Sequence, residues 1–333
     1  MDTLTHALSG ALLARAVSKQ DIPRRVAAGF LACAAPDLDI VYAFAGPMAY
    51  LEHHRAASHS ILMLPFWAAL VAWLLAKLLR EPGGWRALYG VCAMSIGLHI
   101  AGDLITGYGT MALAPFSDWR AALGTTFIID LWFSGIILAG LVASIFAAKS
   151  RLPAVASLAV LACYVGFQYL EKQKALELGA QYAKENGLKD ANVSAHPRPP
   201  TPFNWTVFVS DEAAHRFANI NLYRREPKTA QPDDGLIARL DAQYRPPAAA
   251  LWTTRPRYGE ANPQMVREAW ESPALSVFRW FAELPAFDGA SAGSECYWFV
   301  DLRFMVPGRD GATFRYAACR DRPGAPWRLR TSE

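Results

Sequence analysis

The chain has 333 residues, 53% of them hydrophobic and 19% charged, with a formal net charge of +4. Its mean hydropathy of +0.12 lies above the range of a wholly soluble protein. The few excess basic residues gather beside apolar segments instead of forming a stripe interleaved with aromatics, which argues against nucleic acid as a partner.

The apolar excess is confined to the first half, whereas the chain beyond Leu170 is rich in Arg, Pro, Asp and Glu. A transmembrane domain over residues 1–170 is therefore expected to precede a soluble one. The opening Met1-Asp2-Thr3-Leu4-Thr5-His6 has no basic n-region and no small-residue cleavage site after an apolar core, so it reads as mature sequence and not as a signal peptide. In chain order the apolar segments are 4–17, 26–44, 61–79, 87–105, 127–148 and 152–170. The run 61–79 is the clearest, with Lys77 as its one charge and enough length to cross roughly 30 Å of hydrocarbon. The expected fold is a membrane all-α helical bundle of about six embedded helices, followed by a small α+β domain.

Short cytoplasmic loops collect Lys and Arg. Arg15, Lys19, Arg24 and Arg25 fall in one loop, Lys77, Arg80 and Arg86 in the next on that side, and Lys149 with Arg151 in a third, leaving Arg55 and Arg120 in the intervening loops. This distribution predicts a multi-pass protein of the inner (plasma) membrane with its N-terminus and its C-terminal domain on the extracytoplasmic side.

After the membrane half, 171–186 reads as a charged helix ended by Gly187, and the Pro-rich stretch from His196 as a stiff connector, so that 171–200 forms a helical connector and linker. The soluble α+β domain, 201–333, is expected to hold strands at 205–210 and 216–223, a helix at 265–286 and a closing hairpin at 297–318 around the turn Gly308-Arg309-Asp310-Gly311. In that hairpin Cys296 and Cys319 sit nearly opposite each other, so an oxidising compartment permits a disulfide, with two free buried thiols as the alternative. Cys33, Cys92 and Cys163 lie in apolar segments and read as small buried hydrophobes. The domain carries no nucleophile elbow, phosphate loop or metal-ligand spacing. His196 and His215 read as structural, and a protein partner or a gating role is open to it.

Ionisable residues inside apolar helices are costly and usually face a bundle interior with partners. The membrane half carries Asp2, His6, Asp37, Asp39, His53, His54, His59, His99, Asp103 and Asp130, including five of the seven histidines. His99 and Asp103 are four apart, which on a helix places them on one face a turn from each other, suited to one metal ion. An ordinary buried hydrogen bond is the alternative for such a pair. With the loops oriented as above, these dispersed positions fall at one membrane depth, which argues for a single shared site. Imidazole with carboxylate suits zinc, or less specifically manganese or iron, and the donors suffice for one to three ions. Arg55 and Arg120 lie on the same side and suit either a phosphate group or lipid-headgroup anchoring.

At these residues the chain resembles the YdjM-like membrane-bound metal-dependent hydrolases. The matching pieces are Met1 to His6, Pro36-Asp37-Leu38-Asp39, His54-Arg55 with Ser58-His59-Ser60, and His99-Ile100-Ala101-Gly102-Asp103, followed by Thr106 to Gly109, Pro115 to Arg120 and Asp130. That family is in turn distantly similar to the zinc-dependent phospholipase C and single-strand nuclease superfamily. The resemblance implies His99 and Asp103 as metal ligands, with His6, Asp37, His54 or His59 as further ones, and Asp39, Arg55 and Asp130 are the candidate catalytic groups. The soluble relatives use additional histidines after the His-x-x-x-Asp pair, whereas only Asp118 and Asp130 follow here. The expected activity is metal-dependent hydrolysis of a lipid-linked or phosphodiester substrate at an outward-facing site, with the bilayer and an amphiphile as partners. A metal- or proton-coupled transporter and a non-catalytic assembly protein are the alternatives, and the absence of an internal repeat weighs against the transporter.

Overall fold

The computed structural model describes residues 1–231, 233–291, 295–308 and 311–331. The chain divides into two compact units, Met1–Leu170 and Glu171–Glu333.

The first unit is helical. It comprises α1 (Thr3–Val17), α2 (Ile22–Ala34), a 3₁₀ segment Ala35–Ala45, α3 (Pro47–His53), a 3₁₀ turn Ala57–His59, α4 (Leu64–Leu78), α5 (Gly84–Leu104), α6 (Leu131–Phe146) and α7 (Leu152–Glu185), which runs on into the second unit. Asp2 caps α1 by accepting from the Thr5 amide at 3.0 Å. α1 and α2 cross backbone to backbone: a Cβ on Gly10 would stand 2.2 Å from the Gly29 carbonyl oxygen, and one on Gly29 would stand 2.5 Å from that of Gly10. Only a hydrogen fits at either position, and this close approach brings the start of α1 against the middle of the bundle. α1 then packs through Leu12 and Ala16 on Phe133 and Ile137 of α6 and on Ala154 and Leu161 of α7. α2, α4 and α5 share a second core of Ala28, Ala32, Ala72, Leu75, Leu88 and Cys92.

Among the described residues three helical runs are long and apolar enough to cross a membrane: Ile22–Ala45, Gly84–Leu104 and Leu152–Glu185. A fourth crossing arises if Pro47–His59 and Leu64–Leu78, bent 84° against each other, count as one span. The expectation of six embedded helices is thus reduced to three or four candidate spans. At 1.5 Å per residue the 15 residues of α1 and the 16 of α6 extend only about 22–24 Å, short of roughly 30 Å of hydrocarbon.

Among the described residues the second unit is built on two four-stranded antiparallel sheets with three short helices beside the end of α7, so the expected α+β domain is mainly β. The first sheet has the order β1 (Asn192–Pro197), β2 (Asn204–Ser210), β3 (Ala214–Asn221), β4 (Thr253–Pro256). The second has β5 (Pro285–Ala290), β6 (Glu295–Asp301), β7 (Arg315–Arg320), β8 (Arg328–Thr331). The helices are α8 (Leu236–Asp241), α9 (Pro263–Glu271) and α10 (Ser276–Phe281). The stretch 171–200 is no linker: Ala175 of α7 joins Ala195, Trp205, Val207, Ala218 and Ile220 in the core. His196 and Pro197 lie in β1, an edge strand, where a proline costs no ladder bond. The single helix expected at 265–286 breaks at Ser272-Pro273, because a residue before proline is driven to extended backbone, and the chain then enters β5. The β6–β7 hairpin forms as expected, with Cys296 opposite Cys319 and a disulfide joining them. In the turn anticipated between them, Arg309 and Asp310 lie outside the described residues. His215 is structural: its ring bonds Ser210 Oγ and the Pro285 carbonyl, each at 2.8 Å.

Candidate metal centre

Four polar side chains from separate segments converge inside the first unit. Asp37 comes from the 3₁₀ segment that continues α2, His59 from the turn Ala57–His59, and His99 and Asp103 from successive turns of α5. One potential ligand atom from each lies within 4.8 Å of all the others. His59, His99 and Asp103 are all 0% exposed.

Hydrogen bonding fixes which nitrogens are available. His99 Nδ1 donates to the Cys33 carbonyl at 2.6 Å, so in a neutral ring Nε2 carries the lone pair. Ser58 Oγ donates to Asp39 Oδ2 at 2.8 Å and can therefore accept from His59 Nδ1 at 2.9 Å, which leaves His59 Nε2 bare as well. The two bare Nε2 atoms face each other at 2.9 Å. Asp103 Oδ2 stands 3.1 Å from His59 Nε2 and 3.4 Å from His99 Nε2. Asp37 Oδ1 lies 3.7 and 3.6 Å from the same two nitrogens. The Oδ2 atoms of Asp37 and Asp103 are buried and accept no hydrogen bond among the described residues. Two imidazole lone pairs and two carboxylates aimed at one enclosed point repel unless a cation is held there. Ligands bonded to one ion at about 2.0–2.2 Å lie at most about 4.4 Å apart, so modest side-chain adjustment seats a divalent ion. The donors present fit a metal.

Around this group lies a second layer of polar contacts. Asp39 accepts from His54 Nδ1 at 2.7 Å and from the Arg55 amide at 2.9 Å as well as from Ser58. Arg55 has a left-handed backbone, with φ of 61°, in a region that costs a residue with a side chain about 1–3 kcal/mol. That conformation directs its amide to Asp39 while its buried guanidinium reaches Asp103 Oδ1 at 2.9 Å and Thr106 Oγ1 at 3.0 Å. His6 Nε2 meets Asp103 Oδ1 at 3.0 Å, and its ring stacks on His99 with centroids 3.7 Å apart. The Met1 amino group pairs with the same oxygen. Oδ1 of Asp103 therefore takes the positive and donor groups of the protein, and Oδ2 is left toward the nitrogens. Gly102 makes room for His6: a Cβ there would stand 3.0 Å from its Cε1.

Of the residues singled out in the sequence, His6, Asp37, Asp39, His54, Arg55, His59, His99 and Asp103 meet in this one region. Asp39 and His54 contribute to its outer layer, in contact with each other and with the groups that hold His59. Asp130 is placed otherwise. It caps α6, accepting from the Trp132 and Phe133 amides, and binds Tyr164 and Gln168 of α7. His53 packs on Tyr42, and Arg120 donates to the Tyr108 and Gly109 carbonyls. Asp118 is exposed. Cys33, read as a small hydrophobe, lies with His6 and His99 in a second group of potential ligands. Its spacing of four from Asp37 within one helical run, the same as that of His99 and Asp103, is the signal that could have marked it.

Comparison with known proteins covers the same half of the chain. Residues 1–175 match the model of the YdjM inner membrane protein family, a stretch that holds every residue of the centre. The uncharacterized protein YfhP of Bacillus subtilis (strain 168) is 28% identical over 155 residues, a match covering 40% of this chain and 47% of YfhP, so the chain spans about half the length of that curated relative. No solved structure matches. With more than half of its length matched, the chain belongs to the YdjM inner membrane protein family.

Proposed function

We propose that the protein is a membrane-bound metal-dependent hydrolase acting on a lipid-linked or phosphodiester substrate. The observation that carries this reading is the convergence of Asp103 Oδ2 and Asp37 Oδ1, at 3.1–3.7 Å, on the Nε2 atoms of His59 and His99, which are themselves 2.9 Å apart in a buried place. Asp37, His59, His99 and Asp103 would hold the ion, with zinc favoured by the nitrogen and oxygen donors and manganese or iron also compatible. A divalent ion there supplies Lewis acidity toward water and toward an ester oxygen.

The remaining steps belong to the side chains. His54 has its Nδ1 proton committed to Asp39 at 2.7 Å, and its Nε2 makes no hydrogen bond among the described residues. This is the arrangement of an oriented base that can take a proton from water and return it to a leaving oxygen. Arg55 holds a fixed positive charge beside Asp103, with its Nε buried and unbonded, and can stabilise negative charge gathering on a phosphoryl or acyl group. Tyr108 lies under that guanidinium at 4.9 Å and Tyr50 stacks on His54, which keeps both groups from swinging away. On this reading the second unit lies on the extracytoplasmic side. The Cys296–Cys319 disulfide supports that side, since such bonds persist in oxidising compartments.

Purified protein loaded with zinc or manganese should hydrolyse bis(p-nitrophenyl) phosphate or a short-chain lipid phosphodiester, and Asp103→Asn should abolish turnover. Full metal occupancy without hydrolysis of phosphodiesters, phosphomonoesters or carboxylic esters would replace the enzyme with a structural or transported ion. Complete burial of three of the four ligands is the feature that favours this second reading.

A further inference from the structure

Beside the metal centre, the 3₁₀ segment Ala35–Ala45 and α4 enclose a cavity of about 370 Å³. Leu38 and Val41 line it from the 3₁₀ segment, and Leu70, Val71 and Leu74 from α4, the last with Leu70 one helical turn apart on a single face. Its polar lining is limited to Asp39, His53 and Ser58 and the ring groups of Tyr42 and Trp67. Asp39 and Ser58 are the groups that hold His54 and His59 in place. The cavity therefore joins an apolar slot to the polar layer of the centre.

We propose that this cavity holds one hydrocarbon chain of a lipid whose headgroup reaches the metal centre past Asp39 and Ser58. The proposal deepens the hydrolase reading by choosing a lipid-linked substrate over a soluble phosphodiester, and it rests on that reading for what happens to the headgroup. The volume is that of a ligand pocket, roughly 300–1,000 Å³. Water finds few partners among Leu38, Val41, Leu70 and Leu74, and the wall Ile22–Ala45 belongs to a run long enough to lie in hydrocarbon. A chain passing from bilayer to cavity leaves one apolar medium for another, so little hydrophobic gain is expected. The cavity's effect is on position, setting how far the headgroup extends along the centre.

The test uses the full chain in phosphatidylglycerol nanodiscs containing a phosphatidylethanolamine with a diazirine in its acyl chain. Irradiation should concentrate label on peptides holding Val41, Leu70 and Leu74. Leu70→Trp and Val41→Trp, each filling the slot, should lower that label about tenfold while bound metal stays at the wild-type level. Label spread evenly over the lipid-facing helices, label unchanged in both variants, or crosslinks joining the slot to a second copy of the chain would each overturn the proposal. The readout does not depend on turnover, so slot labelling without hydrolysis would refute the enzyme and leave the chain site standing.

Discussion

In the second unit the buried Arg303 guanidinium donates to Asp301 Oδ2 from Nε and Nη2 at 2.9 and 2.7 Å, to Glu283 at 2.6 Å and to the Phe281 carbonyl at 2.9 Å. The Asp301 carboxylate also accepts from the Arg303 and Glu283 amides, so its charge is compensated in the folded chain itself. In the first unit Asp103 is buried as deeply, yet all its protein partners reach one oxygen and the other faces two imidazole nitrogens. Both regions bury charge. In the first unit that compensation is one-sided, and the four donors fit a further cation. That difference, and not the number of ionisable groups, separates a structural ion pair from a metal centre.

The comparison can be broken from either side. The largest expected effect is in the second unit: Asp301→Ala strands the Arg303 charge and should destabilise that unit by about 3–5 kcal/mol in urea unfolding followed by tryptophan fluorescence, with bound metal unchanged. Gly10→Ala forces α1 from α2 at the point where their backbones touch and should cost about 1–3 kcal/mol, weakening metal binding as His6 shifts. A pH scan offers a smaller effect. Burial, reinforced for His196 by the charges of Arg198, Arg303 and Lys172, holds His196 well below the usual histidine range and His215 below it. The unfolded chain therefore takes up protons first as pH falls below about 6.5, and the second unit should lose up to about 1.4 kcal/mol per pH unit for each histidine. His196→Phe should flatten that slope, and an unchanged slope would remove His196 from the account. The smallest effect is expected from Ser58→Ala, which removes the group between His59 and Asp39 and should weaken metal affinity about tenfold in a competition titration with a chelator.

Much of the centre was legible because polar residues in apolar helices need partners. That rule marked His6, Asp37, His59, His99 and Asp103 before any contact was known, and the spacing of four placed His99 and Asp103 on one face of α5. Three features were not legible. The strained backbone of Arg55 leaves no trace in residue type, and the thiol of Cys33 reads like any small core group until the helices are packed. Asp130 in front of an apolar helix follows a capping pattern as well as a catalytic one, and the structure assigns it to the cap. Counting apolar runs does not separate full spans from shorter helices: α1, with its glycine contact to α2 and its polar first turn, and α6 are both shorter than the hydrocarbon is thick. In the second unit, alternation marked β2, β3 and the β6–β7 hairpin, whereas Pro273 was passed over as the break between α9 and α10.

The central claim is that Asp37, His59, His99 and Asp103 hold a metal ion. Elemental analysis of the full chain, purified without chelator and resupplied with zinc and manganese, tests it most directly when wild type is set beside His99→Ala, Asp103→Asn and the second-unit control Asp301→Ala. The account predicts bound metal in wild type and Asp301→Ala and its loss in both centre variants, each still folded by circular dichroism. Metal absent from wild type, or retained in full by His99→Ala and Asp103→Asn, would contradict it.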